Sequence, residues 1–369
     1  MKKYISMALA AMALVSCSND EFLEINQEAI SFGEAFVDNA TRAYDPSYGA
    51  NANALTQFNV WGAVEGTVDG TSQWSSIFAN DVVEGKVGST DGTVNVWNCT
   101  SKTQYWIPGA NYKFAAVVNG GTDLSKFTVG DYNIPTAVTF TSTDGQQDLL
   151  YADAIATGAA SDNPLVDFTF KHMLAKVVFA VENTTNSQEG NQGQTSPYYY
   201  KVTGVKILNP MVSGKCTFGA TPIWEDRKQS ATAEAAGAYF SLGDVTSNTA
   251  SSTLENMTAI EIHDRASKDE TTSHRACLLI PYNYKTEATT LTENNYRSFQ
   301  VEYTVSLYLE VDTDPTHDVL ISQEKKQSAI TIDIKPGYSY RLLVTLGLGN
   351  PIQFSVKENP IGWETPTGE

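Results

Sequence analysis

Few residues in this chain stand at spacings that do chemistry. The densest group is Asp312, Asp314, His317 and Asp318 in "VDTDPTHD". Oxygen ligands at alternate positions suit a hard cation. The glycine and distal glutamate of an EF-hand loop are missing, however, and a solvated hairpin turn is the preferred reading. His172, His263, His274 and His317 are scattered, none with a partner at ligand spacing. His172, in "FTFKHMLAKVVF", reads as a packed or capping residue rather than a base. G-x-S-x-G, H-E-x-x-H, P-loop and G-x-G-x-x-G sequences do not occur. No catalytic residue, metal ligand or cofactor is therefore assigned. Trp74 in "TSQWSS" and Trp224 in "PIWED" are of the type that stacks on a sugar ring, although core filling is preferred for both. Two positions remain, and there the chemistry is done to the chain itself: the thiol of Cys17 and the peptide bond after Arg42.

Cys17 closes an export signal. Lys2 and Lys3 supply positive charge, and the 13-residue run "YISMALAAMALVS" follows. A membrane span needs about 20 apolar residues, so the run is a signal rather than an anchor helix. Leu14, Val15 and Ser16 before Cys17 resemble a lipobox. There a small residue fits the signal peptidase and the thiol takes a diacylglycerol. Residues 1–17 are thus expected to be a lipoprotein signal peptide, and the lipid on Cys17 would hold a soluble body at a membrane.

The remaining cysteines, Cys99, Cys216 and Cys277, form no C-x-x-C pair. Three allow at most one internal disulfide. The net charge is −18 and the isoelectric point about 4.6. Such a chain lacks the basic footprint that nucleic acid requires, and it suits a surface protein that repels its neighbours.

The elements that must position these residues read as strands. Alternating runs recur, among them "FNVWGAV", "AKVVFAVEN", "YYYKVTGVKILN", "FQVEYTVSLYLEV" and "YRLLVTLGL". In "FQVEYTVSLYLEV" the residues Phe299, Val301, Tyr303, Val305, Leu307, Leu309 and Val311 share one face, opposite a polar one. Clusters such as "NGGTD", "DTDPTHD" and "KPGYS" supply turns. Trp61, Trp97 and Trp106 fall in strand-like runs and are expected in the core. The pattern predicts an all-β chain of sandwiches, and its length predicts two domains. "NTTNSQEGNQGQTSP", residues 183–197, reads either as a linker or as a hairpin loop. The hairpin is preferred, because the flanking strands would pair naturally. The boundary then falls near residues 161–165.

Arg42 gains its meaning from what precedes it. In "EAISFGEAFVDNATRAYD" the residues Ile30, Phe32, Glu34 and Phe36 lie on one face of a strand, three of them large and apolar. A trypsin-type site follows directly. Cutting after Arg42 would free that strand and leave an open hydrophobic edge, a template for a strand from another chain. The C-terminus offers one. Ile352, Phe354 and Val356 alternate with polar residues, Pro351 and Pro360 bracket the run, and Ile361 and Trp363 extend it.

With these motifs in view, the chain resembles the fimbrillin (type V pilin) proteins of Bacteroidales. The resemblance rests on "LVSC", "ISFGEAFVDNATRA", "DLLYADA", "FTFKHMLAKVVFAV" and "IKPGYSYRLLVTLGL", in this order. It implies two transthyretin-like Greek-key β-sandwich domains in tandem, at 43–165 and 166–369, the second carrying the terminal donor strand. It further implies a pro-segment at 18–42, lipidation of Cys17, and cleavage after Arg42 by an Arg-specific surface protease at the outer membrane. Donor-strand exchange with other fimbrial subunits would then build adhesive fimbriae. The protease site disfavours an anchor subunit and leaves shaft and tip open. A monomeric surface lipoprotein that binds glycans is the alternative. A glycan-acting enzyme is a weaker one, because 42 Asp and Glu single out no carboxylate pair.

Overall fold

The computed structural model describes residues 28–37, 55–68, 71–87, 94–145, 147–158, 165–183, 197–229, 239–247, 252–253, 277–285, 297–312, 314–347 and 351–359. Within them the chain is nearly all β. Helical structure among the described residues is limited to turns of three residues, at Leu124–Lys126, Asp131–Asn133 and Pro315–His317.

The first nine strands are β1 (Ser31–Val37), β2 (Gln57–Val68), β3 (Thr71–Val87), β4 (Val94–Cys99), β5 (Asn111–Val118), β6 (Phe127–Val129), β7 (Pro135–Thr141), β8 (Leu150–Thr157) and β9 (Leu165–His172). Seven of them close on themselves in the order β1-β4-β3-β2-β5-β8-β9. Period-two patterning fills the interior. Along β9, Val166, Phe168 and Phe170 are buried and the residues between them are exposed. Along β5, Tyr112, Phe114, Ala116 and Val118 face the same core. Trp97 and Trp106 belong to it as well.

The later strands are β10 (Ala175–Asn183), β11 (Tyr198–Leu208), β12 (Met211–Thr217), β13 (Ile223–Gln229), β14 (Tyr239–Ser247), β15 (Ser252–Thr253), β16 (Cys277–Leu279), β17 (Tyr282–Asn283), β18 (Gln300–Leu309), β19 (Val319–Ala329), β20 (Asp333–Ile334), β21 (Ser339–Leu346) and β22 (Gln353–Asn359). One sheet runs β15-β10-β21-β22, with β16 also on β10, and another runs β14-β11-β18-β19. A second core lies among them, where the rings of Phe179 and Tyr303 meet at 5.6 Å.

Sequence order and sheet order cross in two places. The β6–β7 hairpin leaves the closed sheet and joins β12 and β13, with Cys216 opposite Val138. Trp61, on the outer face of β2, is buried against Phe127 of that hairpin at 4.8 Å. And β9, which begins at the expected boundary, pairs with β8 and β1 of the first sheet.

Two expectations are corrected. β10 and β11 do not form a hairpin. β10 pairs with β15, β16 and β21, while β11 pairs with β14 and β18. Both strands carry enough apolar surface to be central, so each takes neighbours on both sides, in different sheets. The polar face of β18 is also drier than alternation implied. Glu302 and Ser306 are buried there, under Lys325, Gln327 and Gln323 of β19. "DTDPTHD" does connect β18 to β19 as a hairpin turn.

Candidate functional site

β1 is held on both sides. Just before it, the Ile30 N–H donates to the Gln104 carbonyl at 2.8 Å, and the Trp106 N–H donates to the Glu28 carbonyl at 2.9 Å. Phe32 then stands opposite Trp97 of β4. On its other side β1 runs parallel to β9, from Ser31 opposite Leu165 to Val37 opposite Phe170.

Two of the three side chains expected to anchor this strand are described, and both are buried. Ile30 is 7% exposed and Phe32 4%. The Phe32 ring sits among four others. It stacks on Phe168 at 6.0 Å, meets Phe58 and Phe114 edge-on at 5.9 and 6.4 Å, and lies 5.8 Å from Phe78. Edge-to-face and offset arrangements add to the gain from burial alone. Phe36 pairs with Thr169 along the backbone, and its side chain lies outside the described ones. Cys17 and Arg42 lie outside the described residues.

The C-terminal run sits differently. β22 pairs antiparallel with β21, from Thr345 opposite Gln353 to Ser339 opposite Asn359, at the edge of its sheet. Ile352, Phe354 and Val356 are half-buried against the second core, while Gln353 and Ser355 are exposed. Ile361 and Trp363 lie outside the described residues. In the structure, then, β1 is bound by two strands, with Phe32 buried, whereas β22 is bound by one strand, with Phe354 and Val356 half-buried.

The other candidates have structural partners. His172 ends β9, buried, with Nδ1 2.5 Å from Asp148 Oδ2. Asp148 had no sequence signal, because 24 residues separate the pair. Trp224 is buried and its indole N–H donates to the Met173 carbonyl at 2.8 Å. Trp74 is half-buried beside Tyr132, with the Lys113 ammonium over both rings at 4.9 and 4.5 Å. In the Asp312–Asp318 turn, the carboxylate of Asp312 meets His317 Nδ1 at 2.8 Å and accepts from the Asp314 N–H at 2.7 Å. Asp318 accepts from the Tyr199 hydroxyl at 2.9 Å. Cys99, Cys216 and Cys277 are all free thiols. Burial pushes Cys216 up to about 12 and, with the charge of Asp144, pushes Cys277 well above the usual thiol range.

Of the residues beside β1, Trp97 and Trp106 were expected in the core but not as its neighbours, and Gln104 and Asp167 were not singled out by sequence. The signal available was the alternation of Val166, Phe168 and Phe170. It marks a strand with one buried face and does not name its neighbour.

Residues 41–360 match a family model described as fimbrillin-like. Among solved structures, the chain is similar to a fimbrial protein from Bacteroides vulgatus, at 14% identity and a TM-score of 0.49, over 91% of this chain and 100% of that one. It is also similar to a fimbrial assembly protein from Parabacteroides distasonis, at 12% identity and a TM-score of 0.41, over 90% and 100%. No curated protein matches it in sequence.

Proposed function

The chain belongs to the fimbrillin-like family, and on that premise we propose that it is a structural subunit, shaft or tip, of cell-surface fimbriae that serve adhesion. It works as a building block rather than as an enzyme. Its partners are other fimbrial subunits, and its ligand on a host or bacterial surface is unassigned. In this reading the chain reaches the outer membrane as a lipoprotein carried by Cys17. An Arg-specific surface protease cuts after Arg42 and releases residues 18–42. The vacated slot between β4 and β9 then receives a strand from a neighbouring subunit, supplied by Ile352, Phe354, Val356, Ile361 and Trp363. Residues 43–165 and 166–369 are read as tandem transthyretin-like sandwiches; the presence of two cores supports two units, with β9 on the first core and the β6–β7 hairpin on the second.

The observation that carries this reading is the burial of Ile30 and Phe32 in a strand upstream of Arg42. Two such side chains contribute about 3–6 kcal/mol as an upper estimate. While the tether is intact, effective concentration keeps competing strands out. Once it is cut, the freed segment is diluted away and two strand edges lie open. β22 has a single partner strand and half-buried side chains, so it costs less to lift than β1. Because one subunit gives and the next receives, growth is head-to-tail and open-ended.

Two variants test the scheme. Arg42→Ala is expected to give surface-anchored monomers. Deletion of residues 351–369 is expected to give cleaved subunits that donate no strand. Long homopolymers from the deletion variant would place the donor elsewhere.

The alternative, a monomeric lipoprotein that binds glycans, has one observation in its favour: Trp74 keeps part of its ring accessible beside Tyr132. Trp224 offers no such face.

A further inference from the structure

The geometry points to Asp167 as the residue that fixes the register of β1 and selects which strand its slot accepts. The selection rests on the strand-exchange reading above; the register does not.

Pairing between β1 and β9 steps from Phe32 opposite Val166 to Ala35 opposite Phe168. Three steps on β1 match two on β9, so β1 bulges at Gly33 and Glu34, across from Asp167. Bulges in parallel pairs are rare, and this one is tightly crowded at Gly33. A β-carbon on Gly33 would stand 2.1 Å from Asp167 Oδ1, 2.9 Å from Leu165 Cβ and 3.3 Å from Asp167 Cγ. The carboxylate of Asp167 occupies the place of a side chain at position 33, and only glycine leaves that place empty. Sliding the strand by one residue would bring Phe32 or Glu34 to the notch.

The bulge has a purpose in the packing. Without the extra residue, Glu34 would stand opposite Phe168, which is buried. A carboxylate at a core-facing position is costly. With the bulge, Ala35 and Val37 take the positions opposite Phe168 and Phe170.

The notch also discriminates between strands. Ile30-Ser31-Phe32-Gly33 is apolar, polar, aromatic, glycine. The C-terminal run Ile352-Gln353-Phe354-Ser355 has the same spacing with serine in the last place. Laid in the β1 register, its Ser355 β-carbon would meet the Asp167 carboxylate. The slot therefore favours β1 over the chain's own C-terminal strand, and that strand enters this register only with Asp167 turned aside.

The test is a double-substitution cycle on the full chain, read by amide hydrogen exchange over residues 28–37. Gly33→Ala is expected to speed exchange about tenfold or more. Removing a glycine restricts the unfolded chain and by itself would act the other way. Adding Asp167→Ala is expected to recover part of the loss; the rest belongs to the Leu165 β-carbon, which would stand 2.9 Å away and is fixed to its backbone. Adding Asp167→Asn, which keeps the shape, is expected to recover none. Equal losses with and without Asp167→Ala would overturn the register lock, as would no loss at all. Selection is read separately, on subunits cleaved after Arg42. Synthetic peptides of residues 29–40, with Gly33 kept or as Gly33→Ala, compete for the slot. The native peptide is expected to win about tenfold, and the gap is expected to narrow in Asp167→Ala subunits. Equal competition in native subunits would overturn the selection. If neither peptide binds, strand exchange fails and selection fails with it, while the exchange cycle still decides the register.

Discussion

The rings of Phe32 and Phe168 lie stacked, with centroids 6.0 Å apart and planes 19° from parallel. One belongs to a strand expected to leave, the other to a strand that stays. Phe32→Ala should cost about 3–5 kcal/mol, seen as a lower urea midpoint at unchanged slope. A cost below about 1 kcal/mol, the size of an ordinary surface change, would show that β1 adds little to the uncleaved subunit.

The cysteines separate by depth. Cys216 and Cys277 are buried, with thiols pushed far from ionisation, and Cys99 is half-buried. Alkylation requires the thiolate. A native subunit whose signal has been removed should therefore be labelled at Cys99 alone, with Cys216 and Cys277 appearing only in denaturant. Labelling of Cys277 at the rate of Cys99, followed by mass spectrometry, would contradict the packing of β16.

Two partly buried carboxylates tie stability to acid. Burial opposes the charge of Asp81, but hydrogen bonds from Ser101, Lys102 and the Ala79 N–H, with the charge of Lys102, outweigh it. Burial likewise opposes the charge of Glu302, against Lys325, Gln327 and Lys206. Both groups sit below their ordinary range in the fold. Their contribution is present above about pH 4 and is lost as pH falls through the lowered folded values. Unfolding midpoints should drop along that limb, and Asp81→Asn with Glu302→Gln should flatten it. An acid limb unchanged by the pair of substitutions would assign the loss to other groups.

Local alternation made much of this structure legible in the sequence. Ile30 and Phe32, and Val166, Phe168 and Phe170, are each buried at period two. Trp61, Trp97 and Trp106 are in the core as their runs implied. The partners of these strands were not legible. β1 lies parallel to a strand more than a hundred residues later, and β10 and β11 part into different sheets. Pairing of that range depends on which edges remain open after the rest has packed. The bulge at Gly33 was hidden for the same reason. The Asp167 carboxylate that crowds position 33 reaches it only through the fold, whereas a sequence read at period two passes straight through Glu34. The buried pair His172 and Asp148 is a third case, joined across the open end of the β8–β9 pair rather than along a strand.

Residues upstream of Arg42 are expected to be absent from the assembled fibre. Fibres sheared from cells and dissolved by heat should yield subunits that begin at Ala43 on N-terminal sequencing, with no peptide from residues 18–42 detected by mass spectrometry. Fibres whose subunits still begin at lipidated Cys17, with Ile30 and Phe32 retained, would contradict it.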